Sequence, residues 1–183
     1  MHNECYRKDN RGYSIVEMVI VIAIIAIIIS TVFYTVIIVF SANAKSCAND
    51  IQRAIGDCKV TTMGKSAAYM ELYRDTDQNI YTRMYVWDKS ANGGAGDYVP
   101  SEPQKVGTSR VYVAYKRKGD AAGTETELLS GAAPIEICFD RANGGFKEDR
   151  SGNLYEIIYV KGGSKSYEIA LTKLTGKSEV QAK

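Results

Sequence analysis

Histidine is nearly absent: His2 is the only one in 183 residues. Imidazole is the side chain that ordinarily titrates near neutrality and is the commonest metal ligand, so its scarcity removes the usual acid–base and metal chemistry. Serines are plentiful, yet no G-x-S-x-G elbow and no phosphate-binding G-x-x-x-x-G-K-[ST] loop occurs. The sequence therefore reads as non-enzymatic, with no catalytic residue, no metal ligand and no cofactor assigned. An excess of one charge is also lacking, since 23 Lys and Arg face 21 Asp and Glu for a net +2. No basic tract indicates direct nucleic-acid binding. A composition of 45% hydrophobic and 24% charged residues excludes a disordered chain and allows one cored domain plus an accessory segment.

What the sequence has in excess is apolar length near its N-terminus. Residues 15–40 are broken only by Glu17, Ser30, Thr31, Tyr34 and Thr35. As a helix this run measures ~39 Å, enough to cross a bilayer with some tilt. It contains neither glycine nor proline, the usual sources of a kink, although Ser30, Thr31 and Thr35 can bond back to carbonyls of the preceding turn. Arg7, Lys8 and Arg11 precede it and should hold that end in the cytosol, leaving the chain from about Lys45 outside.

Three organisations compete for this N-terminus. A secretory signal peptide finds support in Ala42-x-Ala44, a small-residue cleavage pattern, but its apolar core is ordinarily about 7–15 residues and this run is longer. A plain membrane anchor fits the length. Neither accounts for Glu17, a carboxylate that costs roughly 2.5–3.5 kcal/mol at a bilayer centre and much less near the interface.

The third organisation rests on the segment Gly12-Tyr13-Ser14-Ile15-Val16-Glu17. It resembles the type IV prepilin signature, in which a basic leader ends in Gly, followed by an aromatic residue or Met, Ser or Thr, two aliphatics, Glu and a long apolar helix. The resemblance covers about the first 45 residues. It implies that a prepilin peptidase cleaves between Gly12 and Tyr13 and methylates the new Tyr13 amine. Gly12 has no side chain to obstruct a protease. Glu17, fifth in the processed chain, would pair with the Tyr13 amine of a neighbouring subunit, which makes a buried carboxylate tolerable. The sequence departs from the family pattern in having Tyr13 where Phe or Met is commoner, and Ala26 and Tyr34 where many major subunits carry Gly or Pro.

Beyond the apolar run the pattern becomes one-sided. Ala44, Cys47, Ala48, Ile51, Ala54, Ile55, Cys58 and Thr62 recur at helical spacing, while Lys45, Asp50, Arg53, Asp57 and Lys59 occupy other faces. The helix should run from Ser14 to about Thr62 and stop near Gly64. Strand patterns follow at 80–87, 110–117, 134–139, 154–160 and 166–174, with a short last strand at 177–181 and a hairpin signal in Lys161-Gly162-Gly163-Ser164-Lys165. The expected class is α+β: a long N-terminal helix, transmembrane in its first half and amphipathic in its second, packed on an antiparallel β-sheet in the manner of pilins. The last strands and their Thr175-to-Val180 ending also resemble those of H-type (FimT-like) minor pseudopilins.

Residues 88–107 and 119–133 are rich in Gly, Ala and Ser without periodicity and read as exposed loops, either partner surfaces or connectors. Asp75-x-Asp77-x-Asn79 copies the opening of a calcium loop, but Ile80 and Val86 stand where the pattern needs Gly and Glu, so a solvated turn between strands is the better reading. Cys5 would leave with the leader. Cys47 and Cys58 lie ~16 Å apart on one helix, beyond bridging distance, whereas Cys138 could reach either of them from a strand. Alternation instead turns Cys138 away from a core formed by Ile135, Ile137 and Phe139.

The expected organisation is a leader at 1–12, a transmembrane assembly helix at 13–40, its amphipathic continuation at 41–64 and an extracytoplasmic β-rich domain at 65–183. The resemblance implies a structural subunit, more in keeping with a minor than a major one, of a type IV pilus or pseudopilus serving secretion, adhesion, motility or DNA uptake. Its partners would be the prepilin peptidase, other subunits and, before assembly, membrane lipid. The alternative is a signal-anchored extracytoplasmic binding domain that never polymerises.

Overall fold

The computed structural model describes residues 14–64 and 66–183. The chain divides into two compact units, one ending at Val36 and one running Ile37–Lys183. A single helix, α1, Ile15–Gly64, contributes to both.

In the first unit α1 is apolar on every side, and its large side chains are all exposed. A helix hydrophobic all round is one whose surroundings, not its own chain, must supply apolar contact.

In the second unit α1 buries one stripe: Ala44, Cys47, Ala48, Ile51, Ile55, Cys58 and Thr62. Eleven strands follow among the described residues: β1 Ala68–Arg74, β2 Ile80–Asp88, β3 Asp97–Pro100, β4 Gln104–Gly107, β5 Tyr112–Arg117, β6 Thr126–Glu127, β7 Ile135–Phe139, β8 Phe146–Lys147, β9 Tyr155–Gly162, β10 Lys165–Thr172 and β11 Lys177–Ala182. All pairings are antiparallel, which confirms the α+β class. The strands form two sheets where the sequence suggests one. The first runs β3-β2-β1-β7-β8 with β4 also on β2, and the second runs β11-β10-β9-β5-β6. The helix stripe joins both inner faces in one core that includes Ile51, Ile55, Met70, Leu72, Ile135, Ile158 and Ile169.

Strand β1 is central in the first sheet, yet its sequence, AYMELYR, does not announce a strand. Ala, Met, Glu and Leu favour helix locally, and pairing on both sides by β2 and β7 overrides that preference. Two stretches read as loops also carry structure: β3 and β4 lie within 88–107, and β6 within 119–133. Each is too short to show periodicity and exists because a neighbouring strand offers an edge.

Arg74 closes the end of β1. Its side chain is buried and donates from Nε to the Leu128 carbonyl at 2.9 Å, from Nη1 to that of Gln78 at 3.0 Å and from Nη2 to that of Val111 at 2.9 Å. These bonds tie the β1–β2 turn to the segments flanking β5 and β6. Residues 75–79 form that turn, in which Asp75 Oδ1 accepts the Thr76 amide at 2.8 Å and the Gln78 amide donates to the Asp75 carbonyl at 2.9 Å.

Candidate functional site

Gly12 and Tyr13, the expected processing residues, lie with the rest of residues 1–13 outside the described residues, as does Lys65. Ser14 is the first residue described, and α1 begins immediately after it. The Val16 amide donates to Ser14 Oγ at 3.3 Å, and the Met18 amide to the Ser14 carbonyl at 3.1 Å. Ser14 is thus the N-cap, which satisfies one of the amides that a helix start leaves without partners.

Glu17 then falls at the third helical position, in the first turn. A carboxylate there meets the positive end of the helix dipole, and Ser-x-x-Glu is the spacing of a capping box. This is a physical reason for Glu17 within its own helix, distinct from the expected pairing between subunits. The signal was present in the sequence as Ser14-Ile15-Val16-Glu17 ahead of an apolar run, and the reading of 12–17 as a processing motif left it unused. Glu17 is the only charged residue from Ser14 to Ala44, and its side chain is exposed.

After Glu17 the helix offers only apolar and hydroxyl side chains for more than six turns. Its mean hydropathy reaches 3.0 over an 18-residue window, long and apolar enough to cross a membrane. Ser30 Oγ donates to the Ile27 carbonyl at 2.8 Å, Thr31 Oγ1 to that of Ile28 at 2.8 Å, and Thr35 Oγ1 to that of Thr31 at 2.9 Å. All three hydroxyls are therefore consumed within the helix and present little polarity to a surrounding apolar phase.

In the second unit the helix is fastened by close approach and by hydrogen bonds. A side chain at Gly162 would meet the Phe40 carbonyl oxygen at 2.8 Å and Ala44 Cβ at 2.9 Å. At Gly163, with φ of +61°, it would meet the Ile37 carbonyl oxygen at 2.7 Å. The β9–β10 hairpin thus needs both glycines to lie against the helix backbone. Further along, Gln52 Nε2 donates to the Ser178 carbonyl at 2.7 Å and Lys59 Nζ to that of Thr175 at 2.6 Å.

Cys47, Cys58 and Cys138 are all free thiols. The bridge from Cys138 to a helix cysteine is thus not formed, and the alternation on β7 buries Ile135, Ile137 and Phe139 while Cys138 lies half-buried on the other side. Burial pushes the Cys47 and Cys58 thiols up to about 12, helped at Cys47 by the nearby Asp50 carboxylate. Such thiols are inert at neutral pH.

Residues 7–33 match the family model described as the prokaryotic N-terminal methylation motif, the signature of type IV pilins and pseudopilins. The match ends within the first unit and speaks for the N-terminal segment. No curated protein and no solved structure matches the chain.

Proposed function

We propose that the chain is a structural subunit of a type IV pilus or pseudopilus, and a minor subunit in particular. The observation that carries this reading is a methylation motif at 7–33 that runs directly into an apolar helix whose side chains find no cover within their own unit. The precursor inserts as a single-pass membrane protein with its N-terminus in the cytosol and its β-rich domain outside. A prepilin peptidase cleaves between Gly12 and Tyr13 and methylates the Tyr13 amine.

The processed helix then leaves lipid to pack against helices of other subunits, in a pilus or pseudopilus in the cell envelope. Side-by-side packing brings the Glu17 carboxylate of one subunit to the Tyr13 amine of another. In an apolar surrounding that pair fixes register, because any other stagger leaves both charges unpaired. The protein acts by assembly, with no catalytic step of its own. Ala26 and Tyr34, where many major subunits have Gly or Pro, support the minor role.

The test is mass spectrometry of the mature N-terminus after expression with and without an active prepilin peptidase. A chain beginning at methylated Tyr13, only when the peptidase is active, is the expected result. A chain that keeps Met1 would instead establish a non-polymerising anchored domain, and one that begins at Lys45 a secreted domain freed of its apolar run.

A further inference from the structure

The outer face of the first sheet is unusual for a surface that covers no core. Tyr73 on β1 and Tyr81 on β2 stand opposite one another with ring centroids 5.9 Å apart, and the Arg83 guanidinium lies over the Tyr73 ring at 5.6 Å. Arg83, Glu71 and Glu136 form the next cross-strand row. Among the described residues, two buried side-chain polar atoms have no hydrogen-bond partner, Arg83 Nε and Glu136 Oε2, and both belong to this row. Buried polar atoms are normally satisfied, so two orphans mark this row as imperfectly matched within the sheet itself.

A cleft of about 630 Å³ opens here, floored by Glu71, Tyr73, Tyr81 and Arg83 and walled by Asp75 and the 130–134 loop. That volume lies within the range of small-molecule sites. Its chemistry narrows the ligand. Arg74 also borders the cleft, but its guanidinium is committed to three carbonyls, which leaves Arg83 as the cation available to a ligand. An anion would face Glu71 and Asp75. An amine would meet Arg83 already seated on the Tyr73 ring. A purely apolar molecule would strip water from Arg83 and two carboxylates and return no hydrogen bond, at high cost.

We propose that this cleft binds a neutral carbohydrate. A sugar ring presents C–H faces to the Tyr81 π-system, while its hydroxyls can accept from the terminal N–H groups of the Arg83 guanidinium and donate to the Glu71 or Asp75 carboxylate. One ligand class thereby satisfies a donor and two acceptors that no single charge can serve together. The site belongs to the Ile37–Lys183 unit and does not depend on the assembly reading.

The test uses the full chain in a detergent without a sugar headgroup, probed with maltotriose, cellotriose and tri-N-acetylchitotriose by saturation-transfer NMR and calorimetry. Saturable binding of at least one of these is expected. It should weaken about tenfold or more in Tyr81→Ala and in Ala132→Trp, the latter placing an indole in the cleft from an exposed loop position without disturbing the core. The melting temperature of each variant checks folding, and Ala132→Trp keeps the test intact should Tyr81→Ala fail to fold. Absence of binding by the wild-type chain at millimolar probe, binding unmoved by Ala132→Trp, or tighter binding of a sulfated or sialylated trisaccharide would each overturn the proposal.

Discussion

In the early part of α1 the large apolar side chains are exposed, from Ile15 at 83% to Val36 at 41%. In the later part Ala44, Cys47, Ala48, Ile51, Ile55 and Cys58 are exposed by 1% or less. Both stretches are the same helix by backbone hydrogen bonding, yet different partners hold them. The early stretch has apolar residues on all sides, so lipid or other helices must solvate it. The later stretch has one apolar stripe, and the two sheets of its own unit cover that stripe. Helical structure therefore says nothing about what a helix is for, whereas the angular distribution of its apolar residues does.

Substitutions should separate the two stretches cleanly. The largest effect is expected from Gly12→Val, which crowds the protease's approach to the backbone and should abolish leader removal, read as a precursor mass that persists with active peptidase. The melting transition of the β-rich unit should not move in that variant. Ile51→Ala should do the reverse. It leaves a cavity among the helix stripe and both sheets and should cost about 2–5 kcal/mol in urea unfolding, with processing unchanged. Ile22→Ala, the same kind of truncation in the early stretch, should leave the unfolding midpoint where it is; a shift comparable to that of Ile51→Ala would erase the distinction.

A smaller effect is expected where the helix meets the β9–β10 hairpin. Gly162→Val forces a branched side chain against the Phe40 carbonyl and Ala44, and overpacking of this kind costs roughly 1–3 kcal/mol. Gly56→Val is the control, since a side chain there meets open space on a helical backbone with no left-handed φ to strain it.

A further effect concerns pH. The folded thiols of Cys47 and Cys58 titrate near 12, above their ordinary 9.0, because burial disfavours the thiolate. The unfolded chain releases these protons first, so their contribution to stability is complete below about pH 9 and is lost as pH rises toward 12. Thermal melts from pH 8 to 11 should fall less steeply in a Cys47→Ala, Cys58→Ala chain than in the wild type. Iodoacetamide at pH 8 should modify Cys138 ahead of both helix cysteines, since burial lifts its thiol less far, to about 11.

The stripe of α1 was legible residue by residue, because helical periodicity depends on spacing alone and seven of its eight members are buried. Ala54, the eighth, packs at the edge of the core. Strands with strong β-branched and aromatic alternation, such as β2, β5 and β10, could also be read. Strand β1 could not, since its residues favour helix and its strand character comes from β2 and β7. The division into two sheets was hidden for a related reason: alternation tells which side chains face inward but not which strand is the neighbour. The Ser14-x-x-Glu17 spacing that places a carboxylate in the first turn was legible along the chain, whereas the row of Arg83, Glu71 and Glu136 depends on cross-strand register and has no signature there.

Sequence by itself determined the methylation motif, the apolar length of the early helix and the stripe of the later one, because each is a local pattern whose physics is set by spacing and side-chain type. Tertiary structure alone decided that β1 is a strand, that Arg74 ties three segments together and that tyrosines, an arginine and carboxylates from separate strands share one cleft. Those outcomes depend on contacts between residues distant in the chain, and free energy of burial and pairing, not local preference, selects among them.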